Sequence, residues 1–162
     1  LSTLPPMNTL LIWNIRGATN RLSVSRLRIL IRIHQVAVLV LLEPMAEASN
    51  IESLRMKLSF DFCLFNPSNK IWVFWRCGFH FNVMHNSEQV LHVMAGHDSW
   101  TGTFFATFIS AKCTRVGRHA LWSELRALAS SITRPWLVGG LQCYPYADRV
   151  YGSSTSGPGS HF

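Results

Sequence analysis

The sequence is short of acidic side chains, of cysteine and of long apolar runs, and each shortage removes a class of protein. Asp and Glu number 8 against 15 Lys and Arg, leaving a net charge of +7. A basic balance of this kind favours anionic partners. Arginine supplies 12 of those cations and lysine 3, and a planar guanidinium meets phosphate at two points where an ammonium meets it at one. The cysteines, Cys63, Cys77, Cys113 and Cys143, form no C-x-x-C pair, which excludes the usual zinc and thioredoxin-type spacings. They are expected as free, mostly buried thiols in a reducing compartment. No basic-then-apolar leader with a small-residue cleavage site is recognisable, and the glycosylation-like triplet Asn66-Pro67-Ser68 carries the forbidden proline. The expectation is an intracellular protein, nuclear or cytoplasmic and not secreted. The longest apolar stretch, Val36 to Leu42, is the size of a strand and far below the ~20 residues of a membrane span. Also missing are a P-loop, a nucleophile elbow, a dinucleotide fingerprint and any internal repeat.

What is present is a chain of 162 residues, 48% hydrophobic and 14% charged, enough for one hydrophobic core. Thr9 to Ile15 reads as a buried strand closed by Arg16-Gly17. From Arg21 to Gln35 the period changes: Val24, Leu27, Ile31 and His34 make an inner stripe, with Arg21, Arg28 and Arg32 opposite, which predicts an amphipathic helix with a basic outer face. Val36 to Leu42 predicts a strand covered on both faces. Strand, helix, strand implies an α/β fold. Ser49-Asn50-Ile51-Glu52 has the form of a capping box opening a second helix. Asp61 to Ser110 reads as a largely antiparallel meander, with strands at 62–65, 71–75, 79–84, 90–94 and 103–109. Within it Trp72, Phe74, Phe79 and Phe81, at period two, are expected in the core rather than stacked on bases. Leu121, Leu125, Leu128 and Ile132 place a third helix over 117–131, followed by a strand at Trp136 to Val138. Residues 1–8 are expected as an extension, 9–150 as the domain, and the Gly/Ser-rich 151–162 as a flexible tail.

Two polar residues stand where apolar strands end: Asn14, and Glu43 directly after Leu42. Parallel strands collect ligand-binding residues at their carboxyl ends, and an amide oxygen beside a carboxylate suits Mg²⁺, which takes few protein oxygens and keeps water and substrate phosphate. The plainer alternative is an asparagine finishing a turn and a glutamate at a solvent edge. His80/His85 and His92/His97 are five apart, which is not the i, i+4 spacing of a helical metal pair.

Four blocks in order, Trp13-Asn14-Ile15-Arg16-Gly17, Leu41-Leu42-Glu43-Pro44, Ala111-Lys112-Cys113-Thr114-Arg115 with Leu121-Trp122, and Pro135-Trp136-Leu137-Val138-Gly139-Gly140, carry a resemblance. The chain, from about Met7 to about Gly152, resembles the endonuclease/exonuclease/phosphatase superfamily, and within it the apurinic-type endonuclease domain of plant LINE-like (non-LTR) retrotransposons. The resemblance implies a four-layer α/β sandwich, two packed mixed or antiparallel sheets flanked by helices, with its C-terminal portion missing. It implies Mg²⁺-dependent phosphodiester hydrolysis of DNA, with Asn14 and Glu43 as the metal and phosphate residues. Arg16, Ser110, Lys112, Arg115 and Arg118 are the expected contacts to phosphate or nucleic acid.

The departures bear on catalysis. The family continues its Gly-Gly strand as G-D-F-N, whereas this chain reads Gly140-Leu141-Gln142-Cys143. Ser110 stands where the family has a tyrosine, and the terminal S-D-H segment is absent; neither Asp148 nor His161 is placed to replace it. The expectation is a degenerate, inactive relative with no catalytic residue assigned. The alternative is a non-enzymatic nucleic-acid- or protein-binding module that uses Arg21, Arg28, Arg32 and an exposed sheet, through which copies of the chain would also associate.

Overall fold

The computed structural model describes residues 9–140. The segments expected as an extension and a tail, the Leu141-Gln142-Cys143 run, Asp148 and His161 all lie outside the described residues. Two sheets pack face to face. The first contains β1 (Thr9–Asn14), β2 (Val36–Leu42), β3 (Phe62–Phe65) and β4 (Ile71–Trp75) in the order β1-β2-β4-β3, and the second contains β5 (Phe79–Asn86), β6 (Val90–His97), β7 (Phe104–Ile109) and β8 (Trp136–Gly139) in sequence order. The pairs β1–β2 and β7–β8 are parallel and the others antiparallel. The antiparallel stretch is therefore not one meander: the chain leaves the first sheet after Trp75 and enters the second at Phe79, so β4 and β5 belong to different layers.

β2 shows why VAVLVLL is a strand with no polar face. Successive side chains point to opposite sides of a sheet, so Leu39 and Leu41 enter the core under the helices while Val38, Val40 and Leu42 enter the core between the sheets. All seven residues are buried. Trp72 and Phe74 lie in the helix-side core, and Phe79 and Phe81 pack between the sheets, as the period-two spacing predicts.

Helices α1 (Arg21–Ile33) and α2 (Ile51–Leu58) cover the first sheet, and α3 (Arg115–Ala129) covers the second through Leu121 and Leu125. The Asn20 side chain caps α1 by accepting from the Leu22 N–H at 2.9 Å. His34 is its exposed C-cap and not part of the inner stripe. The capping box does not form: a 3-10 turn at Ala48–Asn50 leads into α2 without a side-chain cap, because Glu52 is taken by Arg55 at 2.7 Å and by the Cys63 thiol at 3.2 Å. α3 begins two residues before the expected start, since Thr114 Oγ1 accepts from the Gly117 N–H at 3.1 Å and serves as N-cap. The thiols also differ from expectation: Cys63 is half-buried and Cys77 and Cys113 are exposed. Burial and the adjoining Glu52 push the Cys63 thiol up to about 12. No described helix is long and apolar enough to cross a membrane.

Candidate metal and phosphate site

The parallel pairing of β1 and β2 sets Asn14 opposite Leu42, so Asn14 and Glu43 emerge at one rim of the sandwich. Both carboxamide atoms of Asn14, Oδ1 and Nδ2, are buried with no hydrogen-bond partner among the described residues. An unpaired buried amide costs about 1–3 kcal/mol, and such a group in a folded protein marks a strained, catalytic or ion-binding position. The backbone around it is also strained. Arg16 has φ 45°, Glu43 φ 49° and Met45 φ 48°, left-handed values that cost a side-chain-bearing residue roughly 1–2 kcal/mol each.

Neighbouring segments hold that backbone in place. The Ile15 N–H donates to the Leu42 carbonyl at 3.1 Å, the Glu43 N–H to Lys70 at 2.9 Å, and the Ala18 N–H to Pro44 at 2.7 Å. Asn69 Nδ2 donates to the Ala46 carbonyl at 2.6 Å while its Oδ1 accepts from Trp72 Nε1 at 2.6 Å. The Glu43 carboxylate, partly exposed, lies 3.7 Å from Arg16 Nε, too long for a hydrogen bond and a weak attraction at a wet surface.

The second sheet completes the rim with Ser110 and Gly140. Gly140 has φ 87°, and a Cβ there would lie 2.6 Å from Leu42 Cδ1 and 2.7 Å from the Ile109 carbonyl. Glycine at this point is what lets the end of β8 close against β2 and β7. Ser110 is buried and donates its N–H to the Gln89 carbonyl at 2.9 Å. The buried Gln89 side chain accepts from the Lys112 N–H at 2.7 Å and donates to the Gly117 carbonyl at 3.0 Å, stapling the approach to α3 onto the β5–β6 turn.

Of the expected site residues, Asn14, Glu43 and Arg16 stand at this rim, and Ser110 follows β7 beside Gly140, which is not among them. The Lys112 ammonium pairs with the Glu88 carboxylate, which holds that carboxyl below its ordinary range. Arg115 and Arg118 lie in the first turn of α3, and neither is in contact with Asn14 or Glu43. Among the described residues, no group of three His, Cys, Asp or Glu side chains converges as a metal cluster. The oxygens of Asn14 and Glu43 are hard donors and fit a hydrated Mg²⁺ rather than zinc.

Asn66 organises the rim from below without having been expected to. It is fully buried. Its Oδ1 accepts from the Lys70 and Ile71 N–H groups, both at 2.9 Å, and its Nδ2 donates to the Ser87 and Glu88 carbonyls, both at 3.0 Å. One side chain thus ties a hairpin of the first sheet to a hairpin of the second. Its only local signal was the turn sequence Asn66-Pro67-Ser68-Asn69, which is silent about partners 21 and 22 residues away.

No protein-family profile matches the chain and no curated protein matches it in sequence. Solved structures do. The endonuclease domain of TRAS1, a telomere-specific non-LTR retrotransposon, superposes with a TM-score of 0.59 at 11% identity, over 81% of this chain and 58% of that one. The human Nocturnin catalytic domain with bound sulfate gives 0.53 at 16% identity, over 85% and 65%. An endonuclease/exonuclease/phosphatase family protein from Bacteroides thetaiotaomicron gives 0.53 at 12%, over 82% and 62%. The chain spans less than two thirds of the length of each. At these identities the likeness is one of fold: two packed mixed sheets flanked by helices, the α/β architecture of the endonuclease/exonuclease/phosphatase proteins.

Proposed function

We propose that the rim carrying Asn14 and Glu43 is a divalent-cation and phosphate site of the nucleic-acid phosphodiesterase type, in a chain whose hydrolytic step is impaired. The observation that carries this reading is the buried Asn14 carboxamide with both polar atoms unpartnered. Its Oδ1 suits a cation and its Nδ2 suits a phosphate oxygen, so a metal-bound phosphodiester would satisfy both atoms at once. Glu43 contributes the negative charge, and the hydrogen bond from its N–H to Lys70 fixes where that carboxylate starts. Bound Mg²⁺ would polarise the phosphoryl oxygen and stabilise the leaving oxygen.

The impairment follows from side-chain chemistry. Leu141, Gln142 and Cys143 stand where the resembling family has D-F-N; leucine neither accepts a proton nor orients a water, and Gln142 is no carboxylate. Groups that act as one catalytic unit fail together. In this reading the lineage is that of a LINE-like retrotransposon endonuclease, the cation is Mg²⁺ and the partner is DNA. The ordered sequence blocks and the fold shared with the TRAS1 endonuclease domain support it.

The test uses Mn²⁺ as a paramagnetic stand-in, with Glu43→Ala beside the unchanged chain. Saturable Mn²⁺ binding that weakens by roughly tenfold or more in Glu43→Ala, as loss of a ligand or its support does, is expected, with nicking of supercoiled and abasic DNA at background. Absence of Mn²⁺ binding overturns the site. Nicking that disappears in Glu43→Ala keeps the site and overturns the impairment.

A further inference from the structure

The opposite rim of the sandwich carries a different kind of surface. An open cleft of about 650 Å³ lies between the C-terminal ends of α1 and α2 and the crossover from β4 to β5, and Arg28, Arg32, Lys57 and Arg76 all line it. Four cations from three segments converge, and among the described residues none has an ion-pair partner. The nearby carboxylates are already engaged: Asp61 accepts from the Cys77 N–H at 2.6 Å, Glu52 holds Arg55, and Asp98 holds His80. Arg32 and Lys57 lie in the last turns of their helices, where a cation complements the helix dipole. Arg28 and Arg76 reach the C-terminal end of α2 from other segments, donating to the Lys57 and Ser59 carbonyls.

Two of the guanidinium groups are held in place before any ligand arrives. Arg76 donates through Nε to the Val36 carbonyl at 3.2 Å and through an Nη to Ser59 at 3.0 Å, and it lies over the Phe60 ring at 5.1 Å. Arg28 Nε donates to the Lys57 carbonyl at 3.2 Å. Each retains further N–H donors, since a guanidinium carries five. A second, shallower depression of about 350 Å³ along α1 shares Arg28 and Arg32 with the cleft. The concave surface therefore extends along α1 past Arg28 and Arg32, and the lining it adds is Ser25 and Ile29.

We propose that this cleft and its extension along α1 form a second phosphate-binding surface, distinct from the Asn14–Glu43 rim, which takes the backbone of a nucleic acid. Like charges held together by neutral carbonyls repel unless an anion lies among them, and cations spread over three segments span more than one phosphate, which favours a polymer over a mononucleotide. The inference does not depend on the metal site, because it uses the other end of the sandwich.

The experiment is fluorescence polarisation of a labelled oligonucleotide of about 15 nucleotides with the full chain, across a salt series starting near about 50 mM. Arg28→Gln/Arg32→Gln/Lys57→Gln is compared with the charge-matched Arg26→Gln/Arg126→Gln/Arg134→Gln, whose arginines do not line the cleft. Arg76 is left in place because its carbonyl bonds support the fold. The first triple variant is expected to weaken binding at least about tenfold and to flatten the logarithmic salt slope by about 2, three contacts at about 0.7 each. The matched triple variant is expected to bind as the unchanged chain does. Equal weakening in both triple variants, or no binding by the unchanged chain, overturns the proposal. Displacement by AMP at the same concentration of phosphate groups as an unlabelled oligonucleotide overturns the polymeric ligand.

Discussion

The two sheets are built by different economies. The first is closed on both faces: α1 and α2 cover one side with an apolar cluster that runs from Leu27 and Ile31 to Trp72 and Phe74, and the other side packs into the space between the sheets. The second sheet shares that inner core, but on its outer face one helix brings a small cluster around Leu121 and Leu125. The rest of that face is partly polar. Thr107 bridges His92 and Trp136, His85 meets Glu124, and Val138 remains exposed. The unpartnered Asn14 carboxamide and the strained Glu43 backbone stand at the strand ends of the sheet that two helices cover. A defect of a few kcal/mol survives where the surrounding core over-determines it.

Breaking the join between the sheets gives the largest effect. Asn66→Ala strands the Ile71 N–H and removes the bonds to Ser87 and Glu88 at a fully buried position. With several partners left unsatisfied, a loss of about 3–5 kcal/mol in unfolding free energy is expected. Urea denaturation measures it. A loss within the range of an ordinary surface substitution would show that the two hairpins are held together by apolar packing alone.

Asn14→Leu sharpens the comparison from the other side. The carboxamide is buried and unpaired, so an apolar side chain of similar volume removes a desolvation penalty and adds contacts to the core. The expected outcome is a gain of roughly 1–2 kcal/mol by the same denaturation, with Mn²⁺ affinity lost. A variant less stable than the parent would mean that the amide is already satisfied and that its burial is not a reserve for a ligand.

Local signals made much of this architecture legible. The limits of β2, β3 and β4 fall where the apolar runs and the Pro67-Ser68-Asn69 turn place them, because those strands are bounded by residues that cannot continue a ladder. Asn14 and Glu43 were visible as polar residues ending apolar strands, and parallel pairing brings such ends to one rim. What required the tertiary fold was long-range competition. Glu52 is drawn to the Cys63 thiol on β3 as well as to the local Arg55 rather than to a helix cap, Asn66 finds its partners in another hairpin, and the basic cleft draws Arg28, Arg32, Lys57 and Arg76 from three segments. No window of sequence contains both members of such pairings.

The smallest expected effect tests the polar outer face of the second sheet through pH. Trp136 Nε1 donates to Thr107 Oγ1 at 2.7 Å, and the same oxygen is hydrogen-bonded to His92 Nδ1 at 2.8 Å. The His92 ring is stacked on Phe105. Burial, and then the neighbouring His85, lower its pKa from the ordinary 6.5. A base with a depressed folded-state pKa binds fewer protons in the folded than in the unfolded protein, so stability rises with pH across that interval. Its contribution is intact above about 6.5 and declines as pH falls from there toward the lower folded-state value. The lowered carboxyls of Glu52, Glu88 and Asp98 lose their contributions further to the acid side. Thermal melts at about pH 7.5 and about pH 5.5, on either side of an ordinary histidine, are therefore expected to show a lower Tm at the acidic value. His92→Gln, which keeps a polar side chain but does not titrate, should show a smaller difference between the two. An equal drop in both proteins would place the pH-sensitive weakness elsewhere and remove His92 as a reason why the second sheet is the softer of the two.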